Sequence, residues 1–156
     1  MDPLPQRRRL HHDTPGWVGS SAIFFLTICT EPRGRAQLTF PAPFAVMQSA
    51  LEHYIAAGKF WVPLFLAMAD HCHFLASFPG DDEMTKVVKD WKRFTAKRTG
   101  IVWQDGFFEH RLRSHESREE KERYILENPV RAGLVANAES WPWIWRPTPQ
   151  AECAAD

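Results

Sequence analysis

The chain has few cysteines, no net charge and no long apolar run. Its cysteines are Cys29, Cys72 and Cys153, an odd and widely spaced set. That excludes a disulfide framework and the paired C-x-x-C pattern of a zinc module, and fits a reducing compartment. Positive and negative residues balance, 19 Lys+Arg against 19 Asp+Glu, so no global charge points to a polyanion or a membrane surface, and any such argument must be local. The apolar run FWVPLFLAMA, residues 60–69, is too short to cross a bilayer. Arg7, Arg8 and Arg9 are not closely followed by the apolar segment and cleavage site of a secretory signal. There is no internal repeat. These absences predict a cytoplasmic protein with no membrane partner. Tyrosine is the scarcest aromatic, with two against eleven Phe and seven Trp, so each tyrosine merits separate scrutiny.

What is present is a core: 44% of 156 residues are hydrophobic, enough for one domain. Residues 1–20 carry Pro3, Pro5, Pro15, Gly16, Gly19 and the arginines, and read as an irregular basic arm. Ala22 to Cys29 is a buried strand by its β-branched and aromatic content. Pro43 opens a helix whose stripe is Phe44, Met47, Leu51 and Tyr54/Ile55, ending at Gly58. Residues 60–69 and 71–78 are two further strands, with Asp70 as the turn between them. Pro79-Gly80-Asp81-Asp82 is a break, followed by a helix to about Arg98 with Val87, Trp91 and Phe94 inward. Residues 107–113 form a fourth strand. Ser117-Arg118-Glu119-Glu120 is a capping box for a last helix running to about Asn128, where Pro129 disfavours its continuation. Asn128 is suited to capping a short turn closed by Gly133. A Trp/Pro-rich tail over 136–156, with Trp141, Trp143 and Trp145, is expected to lie over a main domain spanning 21–135. The order strand, helix, strand, strand, helix, strand, helix predicts an α+β fold, mostly antiparallel, with helices mainly on one face.

Three features carry chemistry. In "MADHCHFL" (Met68 to Leu75), His71 and His73 share one face of the predicted strand, and Cys72 and Phe74 the other. Two readings stand for the pair: polar residues on a solvated face, or two imidazole ligands of one metal, each needing a hydrogen-bonding partner behind it to orient the ring. Tyr54 belongs to the apolar stripe of the first helix. Tyr124 lies on a polar stripe with Glu120, Lys121 and Asn128, where it either anchors the last turn or points at a reaction. Between 86 and 98, six basic residues (Lys86, Lys89, Lys92, Arg93, Lys97, Arg98) face one acid, Asp90: either a solvated face or a nucleic-acid contact.

Together these segments resemble a known family. "HCHFL" resembles the histidine–hydrophobic–histidine (HUH) motif of single-strand endonucleases. "YILENPVRAGLV" (Tyr124 to Val135) is similar to the nucleophile block of the REP-associated tyrosine transposases, relatives of the single-tyrosine insertion-sequence transposases. "FFLTIC", "WKRFTAKRTGIVWQDGFFEHRLRS" and "ESWPWIW" resemble further segments of that family in the same order, so the likeness spans about residues 7–146. Relaxases place their tyrosines before the histidines; here Tyr124 follows them, as in the transposase branch. The family usually has proline followed by Asn or Glu before the first histidine, where this chain has Ala69-Asp70, and its closing serines are replaced here by Ile144 and Trp145.

The resemblance implies a ferredoxin-like, HUH endonuclease-like sheet and a metal-dependent single-strand DNA nickase and strand transferase, a transposase acting on hairpin-forming palindromic repeats. It implies Tyr124 as nucleophile, forming a 5′-phosphotyrosine intermediate, with Mg²⁺ or Mn²⁺ on His71 and His73. Asn128, one turn beyond Tyr124, is the favoured third ligand, against its capping role. Imidazoles suit Mn²⁺ better than Mg²⁺. His110 is expected as a metal second-shell partner, a DNA contact or a structural hydrogen-bonding group, with Glu109 facing the other way. Arg7, Arg8, Arg9, the basic residues of 86–98 and Arg131 are expected DNA contacts, in a monomer or a dimer associated with the nucleoid. The competing expectation is a non-catalytic single-strand nucleic-acid binding module on the same fold; a metal hydrolase unrelated to DNA lacks a clear acidic ligand set.

Overall fold

The structure is a computed structural model describing residues 14–80 and 83–148. Five strands form one sheet in the order β4-β1-β3-β2-β5, every neighbouring pair antiparallel. They are β1 (Phe24–Cys29), β2 (Trp61–Ala67), β3 (His71–Ser77), β4 (Phe108–Arg111) and β5 (Ile144–Trp145). The helices are α1 (Pro41–Ala56), α2 (Met84–Thr99), α3 (Arg118–Leu126) and the one-turn α4 (Asn128–Arg131). The expected α+β architecture is therefore present.

Local chemistry explains the boundaries. Pro41 and Pro43 open α1, where a missing N–H costs nothing. Gly100, at φ 78°, stops α2 by adopting the left-handed conformation that a side chain resists. Ser117 Oγ accepts the Glu120 N–H at 3.3 Å, so the predicted cap forms. Pro63 cannot donate to a ladder, and the β2–β3 register shifts between Trp61 and Leu64.

α1 and α2 cover one face of the sheet. Phe44, Met47, Leu51, Val87 and Trp91 pack there on Leu26, Ile28, Phe65, Cys72 and Phe74. On the other face a smaller cluster of Phe25, Leu64, Leu66 and Leu75 takes Ile125 of α3. Two long helices thus share one face, and the helix bearing Tyr124 lies on the opposite one.

Three expectations change. The last helix ends at Leu126, and Asn128 starts α4 without a side-chain capping bond, so it is not the cap the sequence suggested. The Trp-rich tail does more than lie over the domain: β5 adds an edge strand through Phe65↔Trp145 and Leu66↔Ile144, and Trp141 Nε1 donates to Ala67 O at 3.0 Å. Gly16–Ser20, within the expected irregular arm, is a 3₁₀ turn held by Ser21 N–H donating to Val18 O.

Candidate functional site

The register of β1 against β3 sets the site. Cys29 faces His71, Thr27 faces His73 and Phe25 faces Leu75. Directly opposed residues of antiparallel strands share a face. His71 and His73 therefore project on the α3 side, with ring centroids 4.8 Å apart. Cys72 points into the opposite core, fully buried, and that burial raises its thiol well above the ordinary range, so its sulfur plays no part in the pair.

Each imidazole is held from behind. His71 Nδ1 lies 2.7 Å from Asp70 Oδ1 and His73 Nδ1 lies 2.8 Å from Thr27 Oγ1. Asp70 is fixed in turn by the Gly34 N–H at 2.8 Å and the Arg33 guanidinium at 3.1 Å. Burial alone would raise the Asp70 carboxyl, but the His71 bond, the Gly34 N–H and Arg33 outweigh it and hold the group below its usual range. His73 is 9% exposed and stacks on Phe25, centroids 5.4 Å apart. Burial first, then the neighbouring His71 and the cations Arg131 and Arg33, push His73 down to about 3, so its ring is neutral at physiological pH. With both Nδ1 atoms engaged, the two Nε2 atoms are the ones left for a ligand. Imidazoles oriented from behind in this way fit a divalent transition metal. No third His, Cys, Asp or Glu joins them in a metal-binding group among the described residues.

Tyr124 stands one aromatic ring away. Its ring meets Phe25 edge-on at 6.2 Å, so Phe25 lies between Tyr124 and His73. Tyr124 is 51% exposed, so solvent reaches it. Arg131 lies over the Tyr124 ring at 4.1 Å while its Nη2 donates to the Tyr124 carbonyl at 2.7 Å. Lys121 Nζ is 5.4 Å from the Phe25 and Tyr124 rings alike. Asn128, four residues on, is half-buried, and its side chain makes no hydrogen bond among the described residues.

The structure separates other candidates from this cluster. His110 lies on the same face, opposite Phe25, with Glu109 turned the other way. His110 Nε2 pairs with Glu116 at 3.0 Å and makes no bond to either histidine among the described residues, an arrangement in keeping with the structural alternative. Lys86, Lys89, Arg93, Lys97 and Arg98 are exposed on α2, which covers the opposite face of the sheet. Lys92 differs from them: its Nζ donates to Gln104 O at 2.6 Å and Gly106 O at 2.8 Å, pinning the loop before β4. Arg7, Arg8 and Arg9 lie outside the described residues. Sequence reasoning missed Arg33, Lys121, Thr27 and the orienting role of Asp70. Asp70, next to His71, and Lys121, one turn before Tyr124 on the same helix, carried local signals; Arg33 and Thr27 reach the site through the fold.

The fold and this cluster define an α+β protein with a paired-histidine sheet site beside a helix-borne tyrosine. No family model matches the chain. A REP-associated tyrosine transposase of Escherichia coli is 24% identical over 114 residues, covering 71% of this chain and 69% of the relative. A Haemophilus influenzae protein provisionally given the same name is 25% identical over 140 residues, covering 78% of this chain and 77% of its own. Among solved structures, a REP-associated tyrosine transposase bound to a REP hairpin superposes with a TM-score of 0.67 at 20% identity, covering 92% of this chain and 82% of that one. A provisionally named transposase of Deinococcus radiodurans gives a TM-score of 0.52 at 17% identity, over 72% and 94%. The chain is thus similar in sequence to REP-associated tyrosine transposases and shares the fold of the solved structures. Among the described residues no helix is long and apolar enough to cross a membrane.

Proposed function

We propose that the chain is a metal-dependent single-strand DNA nickase and strand transferase in which Tyr124 is the nucleophile. The reading is carried by one observation: two back-anchored imidazoles and a half-exposed phenol share one sheet face, bridged by Phe25. His71 and His73 would hold Mn²⁺ or Mg²⁺ through Nε2, with the Asn128 amide as third protein ligand. The bound cation would supply Lewis-acid polarisation of a nonbridging phosphate oxygen.

The protein's own groups do the rest. Arg131, Lys121 and Arg33 surround the cluster and receive the anionic backbone. Tyr124 Oη attacks phosphorus in line. The Oη–P bond forms, the bond from phosphorus to the 3′ oxygen breaks, and the phenol's proton ends on the departing 3′ hydroxyl. The 5′ end stays on Tyr124 as a phosphodiester, and a later 3′ hydroxyl reverses the step to join strands without ATP. The hairpin bound by the related structure supports a hairpin-forming repeat as substrate. In this reading the protein acts in the cytoplasm, as a monomer or a dimer. The exposed α2 cations take phosphates farther from the cut.

Incubation of a labelled hairpin oligonucleotide with the protein and Mn²⁺ tests this. Wild type should give an SDS-resistant adduct, and Tyr124→Phe should give none while still binding the oligonucleotide. An undiminished adduct in that variant removes Tyr124 from the chemistry; no adduct with wild type leaves a binding module.

A further inference from the structure

Phe108 is the most exposed large hydrophobic side chain among the described residues, at 60%. Its neighbour Phe107 packs against the main core, as strand alternation requires. Phe108 faces the histidine side instead, because it pairs with Thr27, and Thr27 pairs with His73. One transverse row therefore runs Leu66, His73, Thr27, Phe108 across the sheet. With strands about 4.8 Å apart, the Phe108 backbone stands about 10 Å from that of His73. β4 is an edge strand, so nothing in the sheet lies beyond Phe108. The loop leading into it is fixed by Lys92, which holds Gln104 O and Gly106 O. The ring is thus presented on a rigid strand, level with the metal-ligand candidates.

Resting on the function proposed above, we infer that Phe108 is a stacking platform for an unpaired nucleobase flanking the scissile phosphate. An exposed phenyl beside a site ringed by Lys121, Arg131 and Arg33 matches the combination that single strands need: cations along the backbone and a flat apolar surface for a base. A neutral apolar partner would gain nothing from those cations. Thr27, between Phe108 and His73, is small enough to leave the path from phosphate to ring clear. Stacking of this kind tolerates every base, so Phe108 would register the strand over the site rather than read its sequence.

The test uses fluorescence anisotropy of the full chain with a hairpin oligonucleotide carrying single-stranded flanks, alongside copies with one abasic position each. Phe108→Ala should weaken binding between about fivefold and a hundredfold. Phe108→Trp should retain affinity, with its indole emission quenched on binding. At one flanking position the abasic oligonucleotide should bind wild type and Phe108→Ala equally, because the stack is already absent. If Phe108→Ala binds as wild type does, or is equally weakened at every abasic position, the platform is refuted. If Phe108→Leu restores affinity as fully as Trp, the contact is merely apolar and the stacking claim falls. These outcomes are independent of the adduct assay: wild type that binds the oligonucleotide but forms no adduct overturns the chemistry and leaves the platform standing. Wild type that binds none overturns both.

Discussion

Acidification should destabilise this protein through one side chain. The His73 ring is buried against Phe25, and burial together with His71 pushes its pKa down to about 3, against an ordinary value near 6.5. Below pH 6.5 the unfolded chain takes up a proton on this residue and the folded chain does not. Stability is therefore fully present above pH 6.5 and is lost progressively as pH falls toward 3. Linkage gives about 1.4 kcal/mol per pH unit within that window, hence about 2 kcal/mol between pH 7 and pH 5. Asp70, Glu116 and Glu119 are all held below their usual carboxylate ranges, so their contributions are lost only at lower pH. Urea unfolding of wild type and His73→Gln at pH 7 and 5, with chelator present, isolates the effect. Wild type should lose about 2 kcal/mol more than the variant, a difference in midpoint shift of about 0.7–2 M urea for a domain of this size. Equal pH dependence in the two proteins would refute the buried, neutral assignment of His73, and with it the reason for regarding the ring as ready for metal.

Asp70→Asn keeps an acceptor for His71 but removes the charge that Arg33 and the Gly34 N–H hold in place, and should weaken Mn²⁺ binding about 10- to 100-fold by titration calorimetry, leaving the fold intact. Lys92→Met should cost about 1–3 kcal/mol in thermal or urea unfolding by releasing the Gln104 and Gly106 carbonyls, with no change in the salt dependence of DNA binding. Arg131→Gln and Lys121→Gln should each lower the slope of log affinity against log salt by about 0.7 on a single-stranded oligonucleotide; an unaltered slope would place the backbone elsewhere.

Much of this is legible in the sequence. The strands and helices followed from apolar periodicity and from Pro and Gly punctuation, because those signals act on the local backbone. The i, i+2 spacing of His71 and His73 put both rings on one face, since a strand alternates by geometry alone. Tyr124 stood out because its helical neighbours are polar. The tail strand was missed because two paired residues, Ile144 and Trp145, leave too short a pattern to detect, and its partner lies far back in the chain.

Local sequence carries the inventory and its phase: which segments are helix or strand, and which side chains share a face of the same element. Tertiary structure alone decided how the faces were assigned between elements. An amphipathic stripe says that a helix must be buried but not against which side of a sheet. Only packing set α2 and its cations on the face opposite the histidines, and α3 with Tyr124 on their own face. The same holds for Phe25 between tyrosine and histidine, for Thr27 and Asp70 behind the imidazoles, and for the row that brings Phe108 level with His73. Strand register fixes these neighbours through hydrogen bonds between residues distant in the chain, and no local pattern encodes which distant residue that will be.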